Sequence, residues 1–413
     1  MTTLDINFVR QQFPAFNEPS LKDKAFFENA GGSYMCQQVL GRFDNYFRQL
    51  KVQPFYSNPV SSKAGEWMDE SYGSLAPWLN VENDEIYFGP STSQNTYVLA
   101  NAVMGWLQPG DEIIVTNQDH EANSGVWRRL SERGIVVREW QVNPASGMLE
   151  FDSLIPLFSS KTKLLTFPHC SNILGYINPV SDICGIARSH GVRTVVDGVS
   201  YAGHGLPDVI ALGADIYLFS LYKVYGPHLG VMVIQKEMAG LLSNQGHYFN
   251  ADIREKRLYP AGPDHAQVAS AKGVGDYFEN LYQFHFGDQE PVSSELKAEK
   301  VRALLNHAEV ALISPLMDYF CSHPAIHIVG PDSTENHAAT ISVTVDNFTP
   351  SELAQQLGDE GILCGAGNFY SCRLLQAMNI DPVQGVLRFS IVHNTTLEEV
   401  NRLIATLDRL LKA

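Results

Sequence analysis

The 413-residue sequence is 45% hydrophobic, 18% charged and 10% aromatic, which gives enough apolar surface for two packed domains and does not fit a disordered chain. Its formal net charge of -16 excludes a general binder of nucleic acid or of anionic membrane, since either needs a basic face. The start, from Met1 to Asn7, lacks the basic residues and apolar run of a signal peptide, and no stretch has the ~20 apolar residues that span a bilayer.

Six cysteines (Cys36, Cys170, Cys184, Cys321, Cys364 and Cys372) form no CxxC pair. They read as reduced thiols of a cytoplasmic protein, and the same spacing argues against a zinc site or any other metal.

In chain order, a helix is expected over Thr92–Trp106, ahead of the Pro109-Gly110-Asp111 turn, and a strand at Ile113–Val115. A helix at Asn123–Glu132 follows, then short apolar runs at Ile135–Val137 and Leu164–Thr166, a helix at Pro179–His190, and further runs at Thr194–Val196, Ile216–Phe219 and Val231–Ile234. Short apolar runs between polar or Gly punctuation suit strands buried on both faces, and their alternation with helices implies an α/β core with a mainly parallel sheet. From about residue 290 the texture changes to a long helix at Ser293–Phe320, an alternating strand at Thr340–Val345, and helices at Ser351–Glu360 and Leu397–Leu411. That mixture predicts a smaller α+β domain, with the boundary near 290/291.

Chemistry gathers at the predicted strand ends, where α/β sheets bind ligands. Asp197 closes the run Thr194-Val195-Val196, and a carboxylate there is costly to desolvate without a cation. A protonated pyridine nitrogen would supply one; a plain turn-capping Asp is the other reading. Lys223 lies just past Ile216–Phe219, in Ser220-Leu221-Tyr222-Lys223-Val224-Tyr225-Gly226-Pro227. Burial among Tyr and Gly would lower its pKa and leave the neutral amine that condenses with a carbonyl, while Ser220 and Tyr222 offer hydroxyls to a phosphate. A solvated loop lysine is the alternative.

The run from Asp197 to Gly230 resembles fold-type I pyridoxal 5′-phosphate (PLP) enzymes of aminotransferase class V, nearest the cysteine desulfurase and selenocysteine lyase group. The likeness extends from Phe27-Glu28-Asn29-Ala30-Gly31-Gly32 to His393-Asn394-Thr395. It implies an aspartate-aminotransferase-like large domain over residues 21–290 with a seven-stranded sheet. Residues 1–20 and 291–413 would then form the small domain, and the chain a homodimer with small-molecule amino-acid substrates.

On that resemblance Lys223 carries the cofactor, Asp197 meets its ring nitrogen, and His120 stacks on the ring and moves protons. A surface histidine is the plainer reading of His120. Asn172, in Ser171-Asn172-Ile173, matches the asparagine that bonds the cofactor's phenolic oxygen, and Ser200 stands where relatives carry Gln for the same oxygen. Gly89-Pro90-Ser91-Thr92-Ser93 opens a helix, where Thr92 and Ser93 would serve as N-terminal hydroxyls, as phosphate donors, or as both. Arg388, inside the apolar run Gly385–Ser390, matches the arginine that grips the substrate α-carboxylate; a structural salt bridge is the alternative. His204 also matches a family position, without assignable chemistry.

Two departures stand out. Desulfurases place a nucleophilic cysteine on a loop where this chain has Tyr370, and their arginine position holds Gly365. Cys372 lies two residues after Tyr370 and Cys364 six residues before it. Pro263 replaces a threonine that reaches the phosphate across the dimer interface, leaving His265 or a backbone group to substitute. The segment Phe55–Pro59, with Asn58, is a candidate substrate-side wall or an ordinary loop. The resemblance therefore implies C–S or C–Se lysis of an L-α-amino acid. Transamination, epimerisation or decarboxylation with carbon–carbon bond formation is the alternative, and a non-catalytic scaffold the third reading.

Overall fold

The computed structural model describes residues 2–253, 256–287 and 292–412. The boundary expected at 290/291 lies outside the described residues. The Ile-, Val-, Leu- and Phe-rich runs have no polar side to turn to water, so they pair side by side and bury both faces. Seven of them form one sheet in the order Ile86–Gly89, Gly230–Ile234, Ile216–Ser220, Arg193–Asp197, Thr162–Pro168, Glu112–Thr116, Val136–Trp140. Only Gly230–Ile234 runs against its neighbours; the other pairings are parallel. The outer strand Val136–Trp140 is the more polar one, and its Arg138 holds both oxygens of Glu112 on the adjoining strand.

Two helices differ from expectation, one at its end and one along its length. Thr92–Ala102 is α-helical, but Val103–Gly105 tightens into a 3₁₀ turn, a common ending. The stretch expected as one helix at Asn123–Glu132 is broken into 3₁₀ turns around a single α turn, Gly125–Arg128. Gly125 weakens the helix, and the Asn123 side chain is diverted to Asp119 and Trp127.

A second, antiparallel sheet carries Gly365–Gly367, Val386–Ser390, Thr340–Val345 and Ile326–Ile328, in that order. Helices Ser294–Ser322, Pro350–Asp359 and Leu397–Leu410 pack on it through Leu316, Phe320, Leu353, Leu357, Leu403 and Leu407. Although residues 25 and 26 fall within the range read as the large domain, Ala25–Phe26 pairs with Ile362–Leu363 beside this sheet. The N-terminal segment touches both parts. Arg10 pairs with Glu399, whereas Phe8 stacks on Phe284 and Phe13 packs against Tyr225, Tyr277 and His393.

Candidate active site

Five strands of the parallel set, all but the outer Val136–Trp140, lead at their C-terminal ends to groups that line one cavity. Asp197 ends Arg193–Asp197, Lys223 ends the 3₁₀ turn after Ile216–Ser220, His120 follows Glu112–Thr116, and Asn172 follows Thr162–Pro168. Ile86–Gly89 hands over to the helix that Thr92 opens, with Ser91 as its N-cap. Gly230 lets that helix start approach the sheet, since a Cβ there would overlap the Ser91–Thr92 peptide. All nine residues expected around the cofactor (Thr92, Ser93, His120, Asn172, Asp197, Ser200, Ser220, Tyr222, Lys223) line one cavity of about 280 Å³.

Burial sets the electrostatics of this cavity. It lowers the Lys223 amine to about 8, with Arg388 adding to the effect and Asp197 and Glu28 opposing it. The Asp197 carboxyl is pushed up by burial, although the Val199 N–H, donated to Oδ1 at 2.9 Å, holds part of its charge. Among the described residues no Lys, Arg or His forms an ion pair with Asp197. His120 is lowered to about 4, first by burial and then by Lys223 and Arg388. Its Nδ1 accepts from the Ala122 N–H at 3.1 Å, so the neutral ring carries its proton on Nε2.

This donor set fits PLP. One end offers a helix N-terminus with Thr92 and Ser93, the Thr92 hydroxyl lying 2.7 Å from that of Ser220, and Tyr222 stacked on His228. The same cavity holds a buried carboxylate with no ion-pair partner among the described residues, and a desolvated amine. His228 and Ser91 also line the cavity and escaped the sequence reading. The signal for His228 was a polar side chain between the Gly226-Pro227 turn and an apolar strand.

The expected substrate-side residues scatter. Tyr370 is 70% exposed with its ring 5.2 Å from that of His120, and its carbonyl accepts from the Glu121 N–H at 2.7 Å. Asn172 is tied to the same loop: its amide donates to the Phe369 carbonyl and accepts from the Ser371 hydroxyl, leaving one N–H for a ligand. Asn58 caps helix Pro59–Leu79 through Ser61 and does not line the Lys223 cavity. Pro263 and His265 line a separate cavity of about 660 Å³, together with Phe55.

Arg388 is 2% exposed, and the anion it needs is present within the chain: Glu28, at 2.6 Å from Nη2. The sequence reading cited Glu28 only as part of a motif. Neither out-of-register cysteine lines the cavity. Burial and Glu28 raise the Cys364 thiol to about 12, and Cys372 is exposed at the start of helix Cys372–Ala377.

The aminotransferase class-V family model matches residues 25–265 and 292–403. The chain is 33% identical to aminotransferase-like protein FGM3 of Gibberella zeae, over 99% of both chains. It is 28% identical to a cysteine desulfurase of Serratia proteamaculans, over 98% of each. Among solved structures, a cysteine desulfurase from Thermococcus onnurineus NA1 superimposes with a TM-score of 0.86 at 22% identity, covering all of both chains.

Proposed function

Because the chain belongs to aminotransferase class V, a family of PLP-dependent enzymes, we propose that it cleaves a carbon–sulfur or carbon–selenium bond at the β-carbon of an L-α-amino acid. One observation carries this reading: a desolvated Lys223 amine, a neutral His120 ring and a buried Asp197 open on one cavity. The cofactor, when bound, draws electrons from the substrate Cα.

The chain's residues do the rest. Lys223 would be the attachment point, and its desolvated Nζ, lowered by burial, could hold the proton lost from the substrate Cα. Asp197, buried and without an ion-pair partner among the described residues, would hold the proton on the ring nitrogen. Thr92, Ser93, Ser220 and Tyr222 would hold the phosphate, and Asn172 and Ser200 would be the residues for the ring oxygen. His120 Nε2 holds a proton for the departing β-group, and Tyr370 closes the loop over that ring. The relatives called cysteine desulfurases support sulfur chemistry. Cys364 and Cys372 lie off the cavity, and Cys170, the thiol that does line it, is held protonated by burial and donates to the Ser171 and Gly175 carbonyls, so the β-group leaves into solution rather than onto a protein thiol.

The test is a panel of S-substituted cysteines, cysteine sulfinate and selenocysteine, assayed for the cofactor spectrum and for released thiol, pyruvate, ammonia and alanine. Thiol with pyruvate and ammonia is the expected outcome; no product from any of them would sink the reading. The Tyr370 phenol beside His120 favours a second reading, in which no β-group leaves and the electrons freed at Cα by loss of a proton or of CO2 are taken up by a proton or by a new carbon. That covers transamination, epimerisation and decarboxylative carbon–carbon bond formation. Conversion to the pyridoxamine form, or solvent deuterium at Cα without elimination, would favour it. A scaffold would show no cofactor absorption band.

A homodimer belongs to the same proposal. Exposed Phe55, Tyr56, Tyr248 and Phe249 gather near the cavity that Pro263 and His265 line, an apolar surface suited to a second copy. Six unpaired thiols suit the cytoplasm, and among the described residues no helix is long and apolar enough to cross a membrane.

A further inference from the structure

Arg388 has both terminal nitrogens and one face engaged within the chain, and its one unpartnered nitrogen, Nε, is buried. Its Nη2 is on Glu28 Oε1 at 2.6 Å, its Nη1 donates to the Asn172 carbonyl at 3.0 Å, and the Phe369 ring covers its face at 3.6 Å. Phe369 and Tyr370 hold that cover with successive left-handed backbones, φ 47° and 60°, a strained arrangement for aromatic residues. An anion therefore reaches the guanidinium only by replacing Glu28.

The contact looks built for replacement. Glu28 uses one oxygen, and its Oε2 is buried without a partner, as is Arg388 Nε. A carboxylate bound through both oxygens would be the stronger ligand. The two oxygens sit in a nest made by Gly31 and Gly365, where a Cβ at either position would overlap them. The Glu28 side chain keeps 26% exposure, so one edge of the nest reaches water.

We propose that Glu28 is an internal stand-in for the substrate α-carboxylate and thereby sets specificity: displaced, it admits α-amino acids, and in place, it lets the site take the corresponding amines that lack a carboxylate. The physical reason is charge balance. A buried guanidinium left alone is heavily penalised, so a site with a fixed, unpaired arginine rejects an amine. With Glu28 seated, the amine leaves no charge orphaned.

This inference rests on Arg388 being the carboxylate site, and the experiment separates the two. Three ligands are titrated into the holoenzyme: S-methyl-L-cysteine, 2-(methylthio)ethylamine, and 3-(methylthio)propionate, which has the carboxylate but no amine. The cofactor spectrum reads the first two and calorimetry the third. Glu28→Gln fits the same nest and still accepts from Arg388. It is expected to tighten both carboxylates and to shift the preference for amino acid over amine by about tenfold or more. Glu28→Asp, which keeps the charge but shortens its reach, is expected to shift the preference in the same direction and by less, and it serves if the amide variant does not fold. If Arg388→Gln leaves the propionate affinity unchanged, the carboxylate assignment fails. If that variant loses the propionate while both Glu28 variants keep the wild-type preference, the stand-in fails alone and Glu28 is a structural partner.

Discussion

At the residue scale, Lys223 and His120 owe their reactivity to what surrounds them rather than to any partner they touch. A lysine lowered to about 8 is charged below that pH and neutral above it. The cofactor-free protein is therefore expected to take up PLP at a rate that rises with pH and is half-maximal near 8, rather than climbing towards the ordinary value of 10.5. Stopped-flow absorbance across that range checks it. His120, lowered to about 4, stays neutral through the working range, so the kcat profile should show no step near 6.5 that His120→Gln removes.

The cysteines give a third test. Cys364→Ser and Cys372→Ser should each keep kcat within about twofold, because neither thiol faces the cavity. A large loss with either variant, together with alanine as product, would restore a thiol acceptor.

Asp197 and Lys223 were legible in the sequence because a charged residue at the end of an apolar strand is a local anomaly. Glu28 was not, since its meaning depends on Arg388, 360 positions later. His228 left only a weak local signal, since the residues it meets in the cavity are brought to it only by the fold.

At the scale of elements, two carboxylates fasten the site to its scaffold. Glu139 takes Arg128 and Arg373 together, at 2.8 and 2.6 Å, tying the loop of Tyr370 to the turns after His120. Glu309 is more deeply placed. Its Oε2 lies 2.6 Å from His204 Nδ1 and its Oε1 accepts from the His393 N–H, joining helix Ser294–Ser322 to the turn Ala202–His204 and to the C-terminal segment. Glu309→Ala should cost about 2 kcal/mol, the scale of buried hydrogen bonds to a charged group, measured by urea unfolding at constant m. A change under about 0.5 kcal/mol would show that this junction adds nothing to stability. His204 was singled out from the sequence without a role, and the structure gives it this partner.

The six strands read in the large sheet were readable because burial on both faces leaves an unbroken apolar run; the short edge strand Ile86–Gly89 was not read. The break in the helix after His120 was not, because it depends on where the Asn123 side chain turns.

At the scale of the molecule, the sheet order puts the chemical groups of five strand ends on one rim, and the smaller sheet brings Arg388 to it from the far end of the chain. The alternation of runs predicted this architecture. It did not predict that Ala25–Phe26 would join Ile362–Leu363, since a two-residue parallel pairing has no periodic signal.

The exposed aromatic side chains around Phe55 and Tyr248 lead to a mass prediction. Light scattering should give twice the chain mass, and Phe55→Asp should shift it towards the monomer. A monomeric wild-type protein would remove the reason for the apolar surface.

The account turns on Lys223 as the point where the cofactor is attached. The most direct measurement is borohydride reduction of the holoenzyme followed by peptide mass mapping. The account predicts a pyridoxyl adduct on Lys223 alone and its absence in Lys223→Ala. An adduct on another lysine, or none in a protein that shows the cofactor band, would contradict it.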